Sequence, residues 1–555
     1  MKIAQKVLLV SVITLLVGSS CDNGSPEPRT TNNDRFNVEK TSFPEKEFLI
    51  TDFGAVNDGV TLNTEFINRT IDECSNAGGG KVIIPAGVWV TGPIQLRSNV
   101  NLHLADGALV MFSRNFDDYP FVYTYFEGQR DLRAMPLIYG DSLENIAITG
   151  KGIFDGSGEI WRPVKRDKMT GSQWSELIHS GGVLSEDGSI WWPTEYTLEA
   201  AKNPGQVKQQ YAGTPEMDRY KPYFRPPLVQ LVSCNKVLLD GPLFENSPGW
   251  CIHPLMCTNL TIDDITVRNP WFAQNGDGID VESCKFVTIT NSTFDVGDDA
   301  ICLKSGKDKE GRDRGMPTQY VDVDNCIVHH GHGGFVVGSE MSGGVKDIWV
   351  RNCSFTGTDV GLRFKSTRGR GGVVENIHIE NIRMINIERD AIIFNLFYAG
   401  LAPTEMGEDP IESLIKHAPE ASEATPEFRN IFISDVYCQG AERAIQLLGL
   451  PEMSVSNLSV KNSVFTTRRG ISCLFASGFT LENVIVNSDE APAMSLINVK
   501  DAEIGSFRSN QEVLLHIDGQ QAGKVLVKDE DVESLRKRIV IGEKAGEDVL
   551  EITSL

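Results

Sequence analysis

Along most of this chain apolar and polar positions alternate, and the alternation ends again and again on Asn or Asp. It appears as LTIDD ending at Asp264, VTITN at Asn291, VDVDN at Asn325 and IWVRN at Asn352. It continues as IHIEN at Asn381, IFISD at Asp435 and LSVKN at Asn462. Period-two alternation buries one face of a strand, and a terminal Asn or Asp tolerates the left-handed backbone of a tight turn. The steps between these positions are 27, 34, 27, 29, 54 and 27 residues. A repeat of this length, rich in strand and poor in helix, predicts an all-β solenoid. Short strands joined by few-residue turns predict a parallel β-helix, with equivalent residues stacked in columns about 4.8 Å apart. The 54-residue step spans two coils or one coil with an insertion, and the Pro- and Glu-rich residues 399–427 favour the insertion.

The ends of the pattern differ from its middle. Asn63 stands where it would cap a helix running through Ala77, with Gly78, Gly79 and Gly80 ending it. An N-terminal amphipathic helix of this kind would cover the open edge of the first coil. Residues 157–227 break the repeat with Trp161, Trp174, Trp191 and Trp192, and read as a lid or wall of a cleft. The β-helix is expected over residues 46–490, with residues 491–555 as further β coils or a cap.

The first 21 residues read MKIAQKVLLVSVITLLVGSSC. Lys2 and Lys6 precede an apolar run and then small residues, which is an export signal over residues 1–20, too short for a membrane span. Gly18-Ser19-Ser20 before Cys21 resembles a bacterial lipoprotein cleavage site. That resemblance implies lipidation of Cys21, a polar tether over residues 21–45, and a periplasmic or cell-surface location on a lipid anchor; an ordinary cleaved signal is the alternative. Ten further cysteines lack the close pairs of a zinc site. Export permits disulfides, but Cys326 and Cys353 hold equivalent repeat positions, which predicts buried, stacked thiols. A net charge of -23 over 555 residues argues against a nucleic-acid or anionic-membrane binder. An acidic substrate would have to meet a locally basic cleft.

Chemistry gathers where four nine-residue segments are aligned on their last serine: NGDGIDVES, GDDAICLKS, GHGGFVVGS and TDVGLRFKS, ending at Ser283, Ser305, Ser339 and Ser366. The alignment places Asp277 over Asp299 and Asp298 over His332. Three clustered carboxylates cannot all ionise comfortably, so one is expected to keep its proton near neutral pH. Acid and base carboxyl groups are what glycoside hydrolysis requires, and His332 is placed to tune or share a proton. Arg363 and Lys365 are two apart, so they face one side of a strand and suit a sugar carboxylate. Taken singly, each Asp is an ordinary turn former, and the two cations are a solvated pair for Asp359 or Glu282. Lys304 and Glu282 share the Lys365 column and are expected to form a structural ion pair. Tyr398 sits one coil further, as a sugar contact or a packing residue. No His-based metal site is expected, because too few ligands converge.

NGDG at 275–278, GDDA at 297–300, GHG at 331–333 and RFK at 363–365 resemble, in order, the four signature motifs of glycoside hydrolase family 28, the polygalacturonases. The resemblance implies a right-handed parallel β-helix and an inverting mechanism without cofactor, acting on pectic polysaccharide. It makes Asp298 the general acid, assisted by His332, and gives Asp277 and Asp299 the attacking water. Arg363, Lys365, Tyr398 and Asn275 become substrate-binding residues. Gly276 replaces the family's usual Thr, at a position with no assigned chemistry. The excursions at 157–227 and 399–427 favour exo-action on polygalacturonate. Endo-action and rhamnogalacturonan or xylogalacturonan hydrolysis are alternatives within the family. A pectate lyase would need a calcium cluster and a cationic base, and a non-catalytic binder would have no use for these motifs on consecutive rungs.

Overall fold

The computed structural model of the protein describes residues 35–398 and 410–554. Cys21 and residues 399–409 lie outside the described residues. A 14-stranded and a 25-stranded sheet carry most of the chain. Each turn of the chain adds strands to both sheets, and each strand pairs in parallel with its counterpart one turn on. The result is a parallel β-helix.

All seven Asn or Asp positions that end the repeat adopt φ between 49° and 57°. They do not all end strands, however. Asn352 lies inside the continuous strand Val345–Thr356, and Asn381 inside Val373–Ile385, so the left-handed residue turns the strand without ending it. Side chains on neighbouring coils then join in a ladder. Asn325 Nδ2 donates to Asn291 Oδ1 at 2.8 Å, and Asn381 Nδ2 donates to Asn352 Oδ1 at 2.7 Å. These bonds offset the backbone cost of the left-handed conformation, about 1–2 kcal/mol per residue.

Helix α1, Thr64–Asn76, buries Ile67, Ile71 and Cys74 against the strands Gly80–Ile84 and Val100–Leu104. Asn63 precedes it but makes no side-chain cap. Its Oδ1 accepts from Val56 N at 2.7 Å and its Nδ2 donates to Thr61 O at 2.8 Å, so the amide is used to tie down the incoming loop.

Antiparallel pairing is confined, among the named strands, to two excursions from the coils. One is the hairpin Phe121–Phe126 with Gln129–Ala134. The other lies within residues 157–227, where Val164–Lys165 and Val183–Leu184 flank Ile190–Trp192. Helices Gly171–His179, Glu195–Lys202 and Pro204–Tyr211 complete this lobe. Val164, Trp174 and Trp191 form a small core of its own, against which Phe272 of the coils packs. Beyond residue 490 both sheets continue, through strands such as Met494–Ile497 and Ala502–Ser509 to Leu550–Ser554.

Five consecutive strands of the 14-stranded sheet carry the residues of interest: β1 (Ile279–Glu282), β2 (Asp299–Lys304), β3 (Gly333–Val337), β4 (Leu362–Lys365) and β5 (Asp390–Asn395). Their register sets Glu282 opposite Lys304, Asp299 opposite Gly333 and Val336 opposite Arg363. Inward residues of these strands pack tightly; the rings of Phe364 and Phe394 stack with centroids 4.3 Å apart. Alternation then forces Arg363 and Lys365, on either side of Phe364, out of the opposite face.

Candidate active site

Gly297 and Gly276 shape the backbone around the carboxylates. A Cβ on Gly297 would lie 2.5 Å from Pro270 O and 2.6 Å from Ala273 O, so the turn before β2 closes only with glycine there. The loop it meets is the extra stretch Pro270–Gln274 that lengthens the first rung. A Cβ on Gly276 would lie 2.7 Å from the Cβ of Ala273. The absence of the family's Thr is therefore matched by this chain's own loop, rather than being indifferent.

The columns bring together what the alignment stacked. One carboxylate oxygen from each of Asp277, Asp298 and Asp299 lies within 4.8 Å of the others. His332 Nδ1 is 3.0 Å from Asp298 Oδ1, and His332 Nε2 is 3.6 Å from Asp359 Oδ2. Lys365 Nζ donates to Asp299 Oδ2 at 2.6 Å, and Arg363 Nη1 to Asp299 Oδ1 at 3.4 Å. The two cations thus pair with Asp299 rather than with Asp359 or Glu282. Tyr398 lies beside both, with Lys365 Nζ 5.1 Å and the Arg363 guanidinium 5.9 Å from its ring centre. Asn275 donates its backbone N–H to Asp298 Oδ2 at 3.3 Å, while its side-chain Oδ1 accepts from Arg225 Nη2 at 2.9 Å. Its amide oxygen is therefore committed to the lobe's far end, and its main chain serves the site.

The expected pair between Lys304 and Glu282 does not form, although the two are register partners. Lys304 Nζ turns toward Asp280 at 3.0 Å, Glu340 at 3.7 Å and Asp277 at 3.8 Å, and sits 3.6 Å from the centre of a Trp250 ring. Glu282 is instead held by His253 at 2.9 Å and Arg314 at 2.6 Å. Two buried acids compete for one ammonium, and the one with another pair of partners releases it. Asp280 and Lys304 are thus parts of the site that sequence reasoning missed. Their only signal was their place in the same columns as Arg363 and Lys365.

Protonation follows from these contacts. Burial raises Asp277 well above the usual carboxylate range; the charges of Asp280 and Asp298 add to this, and Lys304 only partly opposes them. Burial likewise pushes Asp280 up to about 6. For Asp298 burial acts the same way but is outweighed by the hydrogen bond and charge of His332 and by Lys365 and Lys304, which hold it low. Asp299 is lowered because Lys365 and Arg363 outweigh its burial. His332 is raised because Asp298 outweighs its burial. The proton expected on the cluster therefore rests on Asp277, next to an Asp298–His332 ion pair that holds a second one. Lys304, Lys365, Arg363 and His332 together supply the counter-charge that three clustered carboxylates would otherwise draw from a bound cation.

His332 and Arg363, which contact the cluster, also line a cleft of about 600 Å³, together with Lys165 and Lys168 of the lobe, Trp271 and Arg389, and Asp298 lines a smaller cavity beside it. Four lysine and arginine side chains meet three carboxylates there, Asp167, Asp359 and Glu388, so the cleft is far less acidic than the chain, whose net charge is -23.

Clustered carboxyl groups with a histidine-linked proton, beside a cleft on a parallel β-helix, mark a glycoside hydrolase. Residues 165–412 match the model for glycosyl hydrolases family 28. The chain is 32% identical to a hyperthermoactive exopolygalacturonase from Thermotoga maritima, over 82% of this chain and 95% of that one, with a TM-score of 0.67. It is 28% identical over 481 residues to the exo-poly-α-D-galacturonosidase of Dickeya chrysanthemi, covering 82% of this chain and 77% of that protein. The family 28 exopolygalacturonase of Yersinia enterocolitica shares the fold, with a TM-score of 0.61 at 22% identity over 91% of this chain and 79% of that one. The chain belongs to glycosyl hydrolase family 28.

Proposed function

We propose that this enzyme hydrolyses α-1,4-galacturonosidic bonds of pectic polygalacturonate from a chain end. The observation that carries the reading is the junction of the three carboxylates with Arg363 and Lys365, cations suited to a uronate substrate. Exo-action is supported by Lys165 and Lys168 of the 157–227 lobe, which wall the cleft that His332 and Arg363 line. The exo-acting relatives point the same way.

In this reading Asp298 passes a proton to the glycosidic oxygen, with His332 as its reservoir at 3.0 Å. Asp299, held ionised, deprotonates the attacking water, and Asp277, which carries the cluster's proton, helps to position it. The reaction is then inverting. Inversion rests on the family resemblance, because oxygens within 4.8 Å are closer than the roughly 6.5–9.5 Å usual for inverting pairs. Tyr398 contacts the sugar beside Arg363, and Asn275 acts through its main chain. Helix α1 serves as the cap of a right-handed solenoid, a role supported by its buried face on the first strands.

The N-terminal signal and Cys21 support export and lipid anchoring at a bacterial membrane. Incorporation of labelled palmitate by the wild type, and its loss in Cys21→Ala, tests this.

The function is tested by a timed digest of polygalacturonate with EDTA present, following viscosity and products together. Monomer or dimer accumulating while viscosity barely falls is the expected result. A fast fall in viscosity with mixed oligomers would overturn exo-action. EDTA-sensitive release of products absorbing near 235 nm would instead indicate a lyase.

A further inference from the structure

The lobe that walls the cleft also brings charge to it. Lys165 lies on the strand Val164–Lys165, where it pairs with Ile190, so its backbone is fixed by the hairpin. Lys168 follows three residues on. Both line the main cleft, and both line a smaller cavity of about 140 Å³ that ends on Asp298 and His332. Among the described residues, no ion pair joins either lysine to a carboxylate. Asp167, between them, faces the same cavity.

Trp271, on the extra loop of the first rung, lines the same cavity with 46% of its surface exposed. Its neighbour Phe272 packs into the lobe's core with Trp174 and Trp191, and the rings of Trp271 and Phe272 meet edge to face at 5.9 Å. An indole anchored from behind and bare in front offers an apolar face beside two unpaired ammonium groups. The apolar faces of sugar rings suit such a surface, and uronate carboxylates suit the lysines.

We infer that Trp271, Lys165 and Lys168 form a uronate-binding subsite separate from Arg363 and Lys365: a galacturonate ring lies on Trp271 and its carboxylate is received by the two lysines. This rests on the polygalacturonase reading and adds a second place where substrate charge is recognised. It also gives the lobe a role in binding as well as in blocking the cleft. Asp167 is left to accept hydrogen bonds from ring hydroxyls.

The test is calorimetric titration in an inactive Asp298→Asn background, using trigalacturonate and the neutral trisaccharide made by reducing its carboxyl groups. Lys165→Ala/Lys168→Ala is expected to weaken trigalacturonate binding about tenfold or more, and to flatten its salt dependence. The preference for the charged over the neutral sugar should shrink correspondingly. Trp271→Ala is expected to weaken both sugars alike. Unchanged trigalacturonate affinity and salt slope in the double lysine variant would overturn the subsite. Failure of the Asp298→Asn background to bind trigalacturonate, with no hydrolysis of polygalacturonate by the wild type, would overturn the functional reading as well.

Discussion

Lys365 Nζ stands 2.6 Å from Asp299 Oδ2 across 66 residues of sequence. A cation expected to meet substrate is already holding one of the carboxylates. Replacing Lys365 with Met should therefore raise the pKa of Asp299, because the charge that outweighs its burial is gone. The acid limb of the kcat/KM profile should move to higher pH. A drop in substrate affinity with an unmoved limb would show that Lys365 serves the sugar alone.

Asp298→Asn keeps the shape of the side chain and removes its proton-carrying capacity. Turnover of polygalacturonate should fall by about 10³-fold or more, with circular dichroism and melting temperature close to wild type. Turnover within a factor of a few of wild type would remove Asp298 from the acid role.

His332→Gln tests the proton reservoir. In the wild type the alkaline limb should follow the Asp298–His332 pair, whose proton is held above the ordinary histidine range. Without His332 the proton must sit on Asp298 itself. Its pKa rises once the histidine's bond and charge are lost, but it remains a carboxyl. The alkaline limb should therefore move to lower pH, with kcat down about 10²–10⁴-fold. An unmoved limb would mean that His332 only positions.

Stability should be greatest on the acid side of neutrality. Asp280 is pushed up to about 6 in the folded chain, so the folded state binds more protons than the unfolded state between about pH 4 and 6. Stability contributed by its protonation is lost as pH rises through that window, by an amount on the order of 3 kcal/mol. His332 acts in the same direction, since its raised pKa contributes stability that is complete below about 6.5 and lost above its folded value. Asp298 and Asp299, held low, contribute stability that is lost only as pH falls well below 4. Melting temperatures measured from pH 3 to 9 should peak near pH 4–5, and Asp280→Asn should flatten the decline between about 4 and 6.

Asn352→Ala removes a ladder rung and puts alanine at φ 55°. The cost should be about 2–3 kcal/mol, read as a lower denaturant midpoint with an unchanged slope. A loss under about 0.5 kcal/mol would mean that the ladder is decoration.

How much of this was legible in the sequence depends on what set each contact. The Asn positions and the stacking of Asp277, Asp298, Asp299 and His332 follow from the repeat, because a column is arithmetic once the period is known. The partner of Lys304 did not follow. Register placed it opposite Glu282, yet Arg314 and His253, which arrive from outside the column, took Glu282 away. The amide of Asn275 was claimed by Arg225 in the same manner. The lobe's antiparallel sheet and helices lack the repeat's period, so its tryptophans signalled a departure but not its architecture.

All ten cysteines among the described residues are buried as free thiols. Burial pushes Cys74 up to about 11 and Cys438 up to about 12, far from the thiolate that reacts. Cys326 and Cys353 stack as the repeat implied, with Cys326 Sγ directed to Ile289 O at 3.6 Å. The coils are held by ladders and packing, not by cross-links. Over the described residues the fold is indifferent to the redox poise of its surroundings: it can form before any oxidase acts, and a reductant finds no cross-link there to undo.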